Sequence, residues 1–103
     1  MKIVRSHNNT PIRLTDERWQ HIVRRHPEMT TFQEGVLETV SYPSQIQEGD
    51  YGTLMAIRFY PETPLTSKYL IAVYRETQPD DGFVLTAYLS SKPSTRRKTL
   101  WKS

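Results

Sequence analysis

The sequence predicts an α+β fold, with two N-terminal helices packed on one face of a three- to four-stranded antiparallel sheet and a short basic C-terminal tail. Two observations carry that expectation. Apolar residues recur with helical spacing between Leu14 and Ser41, then from Gln45 to Ser90 the pattern turns to strand-like alternation. Helical runs followed by strand runs put helices beside an antiparallel sheet. At 103 residues with 36% apolar side chains, the chain suits one domain spanning 1–103.

Ile3-Val4 and Ile12–Leu14 flank His7-Asn8-Asn9-Thr10-Pro11, whose composition favours a turn. A short strand or hairpin is expected there. The best-defined element is the first helix. Thr15 is its N-cap, with a hydroxyl able to accept from a first-turn N–H, and Asp16 and Glu17 complement the helix dipole. Leu14 and Trp19 have the spacing of a hydrophobic staple. Trp19, Ile22, Val23 and His26 share one face, while Arg18, His21, Arg24 and Arg25 point elsewhere. Pro27 disfavours helical geometry at the preceding residue, so the helix ends at His26. The imidazole thus sits at the electronegative helix terminus. It suits either a capping histidine satisfied by carbonyls or a general acid/base.

A second helix is expected over 31–41, with Thr31 and Glu34, or Thr30 and Gln33, at capping-box spacing. Tyr42-Pro43 closes it. Ile46 opens a strand before a turn at Glu48–Gly52. Leu54–Tyr60 alternates, Lys68–Arg75 is apolar on both faces as in a central strand, and Gln78–Gly82 is a turn. Phe83–Ser90 alternates again. Alternation groups Met55, Ile57, Phe59, Phe83, Leu85, Ala87 and Leu89 against the helices. The opposite face then carries Arg58, Tyr60, Thr86 and Tyr88, as an ordinary half-wet sheet face or as a surface for phosphate. Pro93 breaks the chain before the tail, for which one or two helical turns are expected.

Composition narrows the chemistry. With no cysteine, disulfides and thiolate metal sites are excluded, and a reducing, cytoplasmic setting is expected. No apolar run is long enough to span a membrane, and the N-terminus lacks the apolar stretch of a signal peptide. Net charge is +3 and the sequence pI about 9.3. Lys92, Arg96, Arg97, Lys98 and Lys102 crowd the last segment without an acidic neighbour. That segment is a solubilising tail or a polyanion-binding one. Trp101 favours a segment that docks on the body or stacks on a ligand. His21 and His26 lie roughly 140° apart around a helix, a poor metal pair, and no nucleophile elbow, P-loop or HExxH is present. No metal or cofactor is therefore expected.

Several pieces together resemble a known group. Leu14-Thr15, Glu17-Arg18-Trp19, His21-Ile22 and Arg25-His26-Pro27-Glu28-Met29 stand in the first helix and its exit. Val36–Val40 with Pro43, Phe83-Val84-Leu85-Thr86-Ala87-Tyr88 and Leu100-Trp101 follow. The pattern covers nearly the whole chain and is similar to small bacterial and phage-associated domains of the BECR superfamily, which joins barnase, EndoU, colicin nucleases and RelE-type toxins. The resemblance implies a helical pair before an antiparallel sheet, and metal-independent RNA cleavage as a toxin or effector controlled by a cognate antitoxin. His21 and His26 match its helix pattern, Thr86 and Tyr88 its strand pattern, and Arg58 a basic strand position. The barnase-like carboxylate base has no clear counterpart.

The expected mechanism uses His26 as acid or base and Arg58 as the phosphate clamp. Thr86 and Tyr88 orient the phosphate or donate hydroxyls, with His21 as a further candidate. Arg75, Arg96, Arg97, Lys98 and Lys102 hold the RNA backbone. His26 and Thr86/Tyr88 fall on opposite sheet faces in this reading. They meet only if the helix end passes the sheet edge or the faces are exchanged. The rival expectation is a non-catalytic module that binds nucleic acid or an antitoxin on the same surface.

Overall fold

The computed structural model describes all residues, 1–103. In order come β1 (Lys2–Arg5), β2 (Pro11–Leu14), α1 (Asp16–Arg25), a 3-10 turn (Pro27–Met29) and α2 (Gln33–Ser41). Then follow β3 (Gln45–Glu48), a turn at Asp50–Gly52, β4 (Leu54–Tyr60), β5 (Lys68–Gln78), β6 (Asp81–Ser90) and β7 (Thr99–Lys102). The strands make one seven-stranded sheet in the order β1-β2-β6-β5-β4-β3-β7. All pairs are antiparallel except β2 with β6.

The three- to four-stranded antiparallel sheet expected from the sequence is thus corrected to a seven-stranded mixed one. The N-terminal hairpin adds two strands, and the basic tail adds a seventh instead of helical turns. Thr99–Lys102 pairs with β3, whose edge supplies the backbone partners that a short isolated segment lacks. The chain between β6 and β7 must cross β5, β4 and β3. It does so over one sheet face, where the Gln47 amide donates to the Ser94 carbonyl at 2.8 Å.

Local chemistry explains α1. Thr15 Oγ1 accepts from the Arg18 N–H at 3.1 Å, and the His26 N–H donates to the Ile22 carbonyl, closing the last turn. Leu14 is buried and Trp19 packs on the same core, as a staple requires. The capping box proposed for α2 does not form. Phe32 takes the cap position without a side-chain bond, its ring edge-on to Tyr60 at 4.9 Å, and Thr30 bonds back to the Pro27 carbonyl within the 3-10 turn.

The main core joins Ile22, Met29, Val36, Leu37 and Val40 to Ile12, Leu14, Ala56, Leu70, Ala72, Tyr74, Val84 and Ala87. The face assignment of β4 is therefore exchanged. Ala56 looks toward the helices, and Arg58 and Tyr60 on that side bond to Tyr42 and Glu38 of the α2 segment. Met55, Ile57 and Ile71 form a separate cluster on the other face, with Tyr69, Val73 and Tyr88 packed against it. Both faces are covered, so alternation alone cannot say which one meets the helices.

In β6 the alternation itself breaks. Tyr74 pairs with Val84 and Val73 with Thr86, leaving Leu85 as an extra residue, a β-bulge. Val84 and Ala87 therefore share the helix side, while Thr86 and Tyr88 pair with Val73 and Ile71 on the other. Gly82 marks the meeting of β2, β6 and β5: a Cβ there would stand 2.4 Å from the Arg75 carbonyl oxygen and 2.6 Å from Ile12 Cδ1. The sheet also curls. Its two ends, β1 and β7, approach closely enough for His7 to lie against Trp101 with ring centroids 4.0 Å apart. No helix is long and apolar enough to cross a membrane.

Candidate functional site

The site lies at an open edge. β2 pairs with β6 only at Gly82 and Phe83, so the rest of β6 has no strand on that side. α1 takes the place of one. Arg18 Nη1 donates to the Leu85 carbonyl at 3.3 Å, satisfying an acceptor that the bulge turns outward. The helix end thereby passes the sheet edge and brings His26 to Tyr88, ring centroids 5.7 Å apart.

A hollow of about 470 Å³ results, lined by Arg18, His21, Arg25, His26, Leu85, Thr86 and Tyr88. Arg18, His21 and Arg25 recur at helical spacing on one stripe of α1. Neither arginine is in an ion pair, so both charges are free for a ligand. His26 Nδ1 stands 3.9 Å from the Glu28 carboxylate, which can pair with the ring whenever it is protonated. Burial pushes the Tyr88 phenol up, Arg97 opposing and Asp50 adding to that shift. Tyr88 is thus a neutral hydroxyl donor at physiological pH.

Thr86, Tyr88 and Leu85 also form the wall of a second cleft, of about 350 Å³, with Asp50, Tyr51, Thr53, Met55, Val73, Arg75 and Arg97. The two hollows share this wall, so His26 and Arg97 lie at opposite ends of one trough. Arg97 Nη1 reaches Asp50 Oδ1 at 3.0 Å and its Nη2 reaches Oδ2 at 3.3 Å. That bidentate bond holds the Asp50 carboxyl below its ordinary range.

Of the residues singled out from the sequence, His21, His26, Thr86 and Tyr88 are brought together, and Arg75 and Arg97 extend their trough. Arg58 is not there. Its Nη1 donates to the Tyr42 carbonyl at 2.7 Å and its Nε lies 3.6 Å from Glu38, on the helix side of the sheet. Arg96 and Lys98 are exposed on the crossing segment, and Lys102 lies on the outermost strand beside Gln45. Sequence reasoning missed Arg18, Arg25 and Glu28 as site residues. The helical spacing of Arg18, His21 and Arg25 was a usable signal. Asp50 and Tyr51 had none, because their place depends on how the turn after β3 folds back.

No group of three or more His, Asp or Glu side chains gathers with metal-holding geometry. Comparison with protein-family models, with curated proteins and with solved structures finds no match.

Proposed function

We propose that the chain is an endoribonuclease that cleaves RNA by attack of the ribose 2′-OH, without a metal or cofactor. The observation that carries this reading is the meeting of two imidazoles, two unpaired arginines and two hydroxyls around one hollow. Such cleavage needs one group to remove the 2′-OH proton and another to protonate the departing 5′-oxygen. The 2′-oxygen bonds to phosphorus, the P–O5′ bond breaks, and the products carry a 2′,3′-cyclic phosphate and a 5′-OH. His26, with Glu28 available to pair with its protonated ring, is the acid. His21, exposed on the same stripe, is the base. Arg18 and Arg25 take the phosphate-clamp role first given to Arg58, acting on charge at the phosphoryl oxygens. Thr86 and Tyr88 donate hydroxyl hydrogen bonds to the same group.

The resemblance of the helix-exit and strand motifs to BECR domains supports the same reading, and with it a cytoplasmic toxin or effector restrained by a cognate antitoxin. Incubation of the purified chain with oligoribonucleotides in EDTA tests it. Cleavage ending in 2′,3′-cyclic phosphate, lost in His26→Gln and in Arg25→Ala, is the expected result. Salt-sensitive binding with no cleavage overturns the nuclease and leaves a binding module.

A further inference from the structure

The cleft on the far side of Tyr88 differs in character from the hollow beside His26. Its floor is apolar, made by Met55, Val73 and Leu85, and its rim carries Tyr51, Arg75 and Arg97. Tyr51 is the unusual member. The residue is 93% exposed, and its backbone is left-handed at φ 55° and ψ 42°, a conformation uncommon for a bulky residue. An aromatic that packs on nothing in the fold gains nothing there from burial.

The turn that presents it is nevertheless held firmly. Arg75 Nη2 donates to the Tyr51 carbonyl at 2.6 Å, and Arg97 grips Asp50 next to it. Thr53 closes the turn through its hydroxyl and N–H, both donating to the Asp50 carbonyl. The phenol is thus displayed from a rigid turn beside a cleft of about 350 Å³, within the range of small-ligand sites. Arg75 Nε is buried without a hydrogen-bond partner.

We propose that this cleft is a nucleobase subsite. It takes one unpaired base of single-stranded RNA, next to the phosphodiester held at His26, with Tyr51 stacked on that base. The inference rests on the nuclease reading for the position of the phosphodiester, not for the cleft's chemistry. A base has an apolar face for the floor and for the Tyr51 ring, and edge acceptors for the arginines. A phosphate alone would leave the apolar floor unused. Because the trough is continuous through Thr86 and Tyr88, one strand can occupy both hollows. Duplex RNA is excluded, since its bases are already stacked.

The test uses the full chain and a 2′-O-methyl hexanucleotide, which has no 2′-OH to attack, with affinity read by fluorescence anisotropy. Stacking on one aromatic leads to an expected loss of about tenfold in Tyr51→Asn and almost none in Tyr51→Phe. Asparagine tolerates the left-handed backbone better than tyrosine, so the variant should keep its melting temperature. A second arm replaces the bases one at a time by abasic residues. One position should cost the wild type about tenfold and Tyr51→Asn nothing further, as coupled partners do. Absence of binding, equal affinity of wild type and Tyr51→Asn, or equal abasic penalties in both, overturns the subsite. Cleavage of unmodified RNA is scored separately. Cleavage without the coupling removes the subsite and spares the nuclease, whereas the coupling without cleavage keeps the subsite and removes the nuclease.

Discussion

The Tyr88 ring lies 5.7 Å from the imidazole of His26, tilted by 32°. One residue caps a helix and the other stands on a strand, and they meet because β6 has an unpaired edge that α1 covers. Changing His26 should therefore affect chemistry more than folding, since its side chain is 32% exposed. His26→Gln is expected to lower cleavage by roughly 10²–10⁴-fold while moving unfolding free energy by less than about 1 kcal/mol. Cleavage rates beside urea denaturation of the same preparation check both numbers. Equal losses in the two would make His26 a structural residue.

Arg18 and Arg25 supply charge without carboxylate partners. Each alanine variant should reduce the slope of log affinity against log salt by about 0.7 for single-stranded RNA. Arg58→Ala should leave that slope unchanged, because its guanidinium is engaged by Glu38 and the Tyr42 carbonyl. Titrations at several salt concentrations separate the three, and a slope change for Arg58 alone would contradict the assignment of the clamp.

Stability should fall in alkali. Burial, and then the hydrogen bond to Glu38, push the Tyr60 phenol from 10 up to about 12. Between those values the unfolded chain loses the proton while the folded chain keeps it, so stability declines as pH rises. Burial raises Tyr74 as well, extending the decline to higher pH. Tyr60→Phe should cost about 1 kcal/mol at neutral pH through lost hydrogen bonds. It should also flatten the decline between pH 10 and 12, as denaturant midpoints at pH 8, 10 and 11 would reveal.

Gly82 is needed for space. Its added Cβ would meet backbone, the Arg75 carbonyl oxygen at 2.4 Å, which cannot swing aside as a flexible side-chain end could. Gly82→Ala should cost about 1–3 kcal/mol, measured by denaturant unfolding. A cost near zero would mean that β2 can separate from β6 without harm to the rest.

Much of the chain was legible one element at a time. Thr15, the Leu14–Trp19 staple and Pro27 act within a few residues of one another, so α1 could be bounded from local rules alone. Leu54–Tyr60 was equally clear as a strand. The bundling of His21 and His26 with Thr86 and Tyr88 could be expected as residue types, but not as a place. Tertiary structure decided the rest. An extra residue at Leu85 reverses the alternation of β6, and nothing in an apolar-polar pattern announces a bulge. Met55, Ile57 and Ile71 are buried on the second sheet face with Tyr69, Val73 and Tyr88 packed against them, so neither face of β4 is simply the wet one. Thr99–Lys102 becomes a strand only because β3 offers it an edge. Local sequence sets turns, caps and periodicity through interactions between near neighbours. Pairing partners, sheet faces and the trough between His26 and Arg97 depend on contacts between distant segments, and those arise only when the chain is folded.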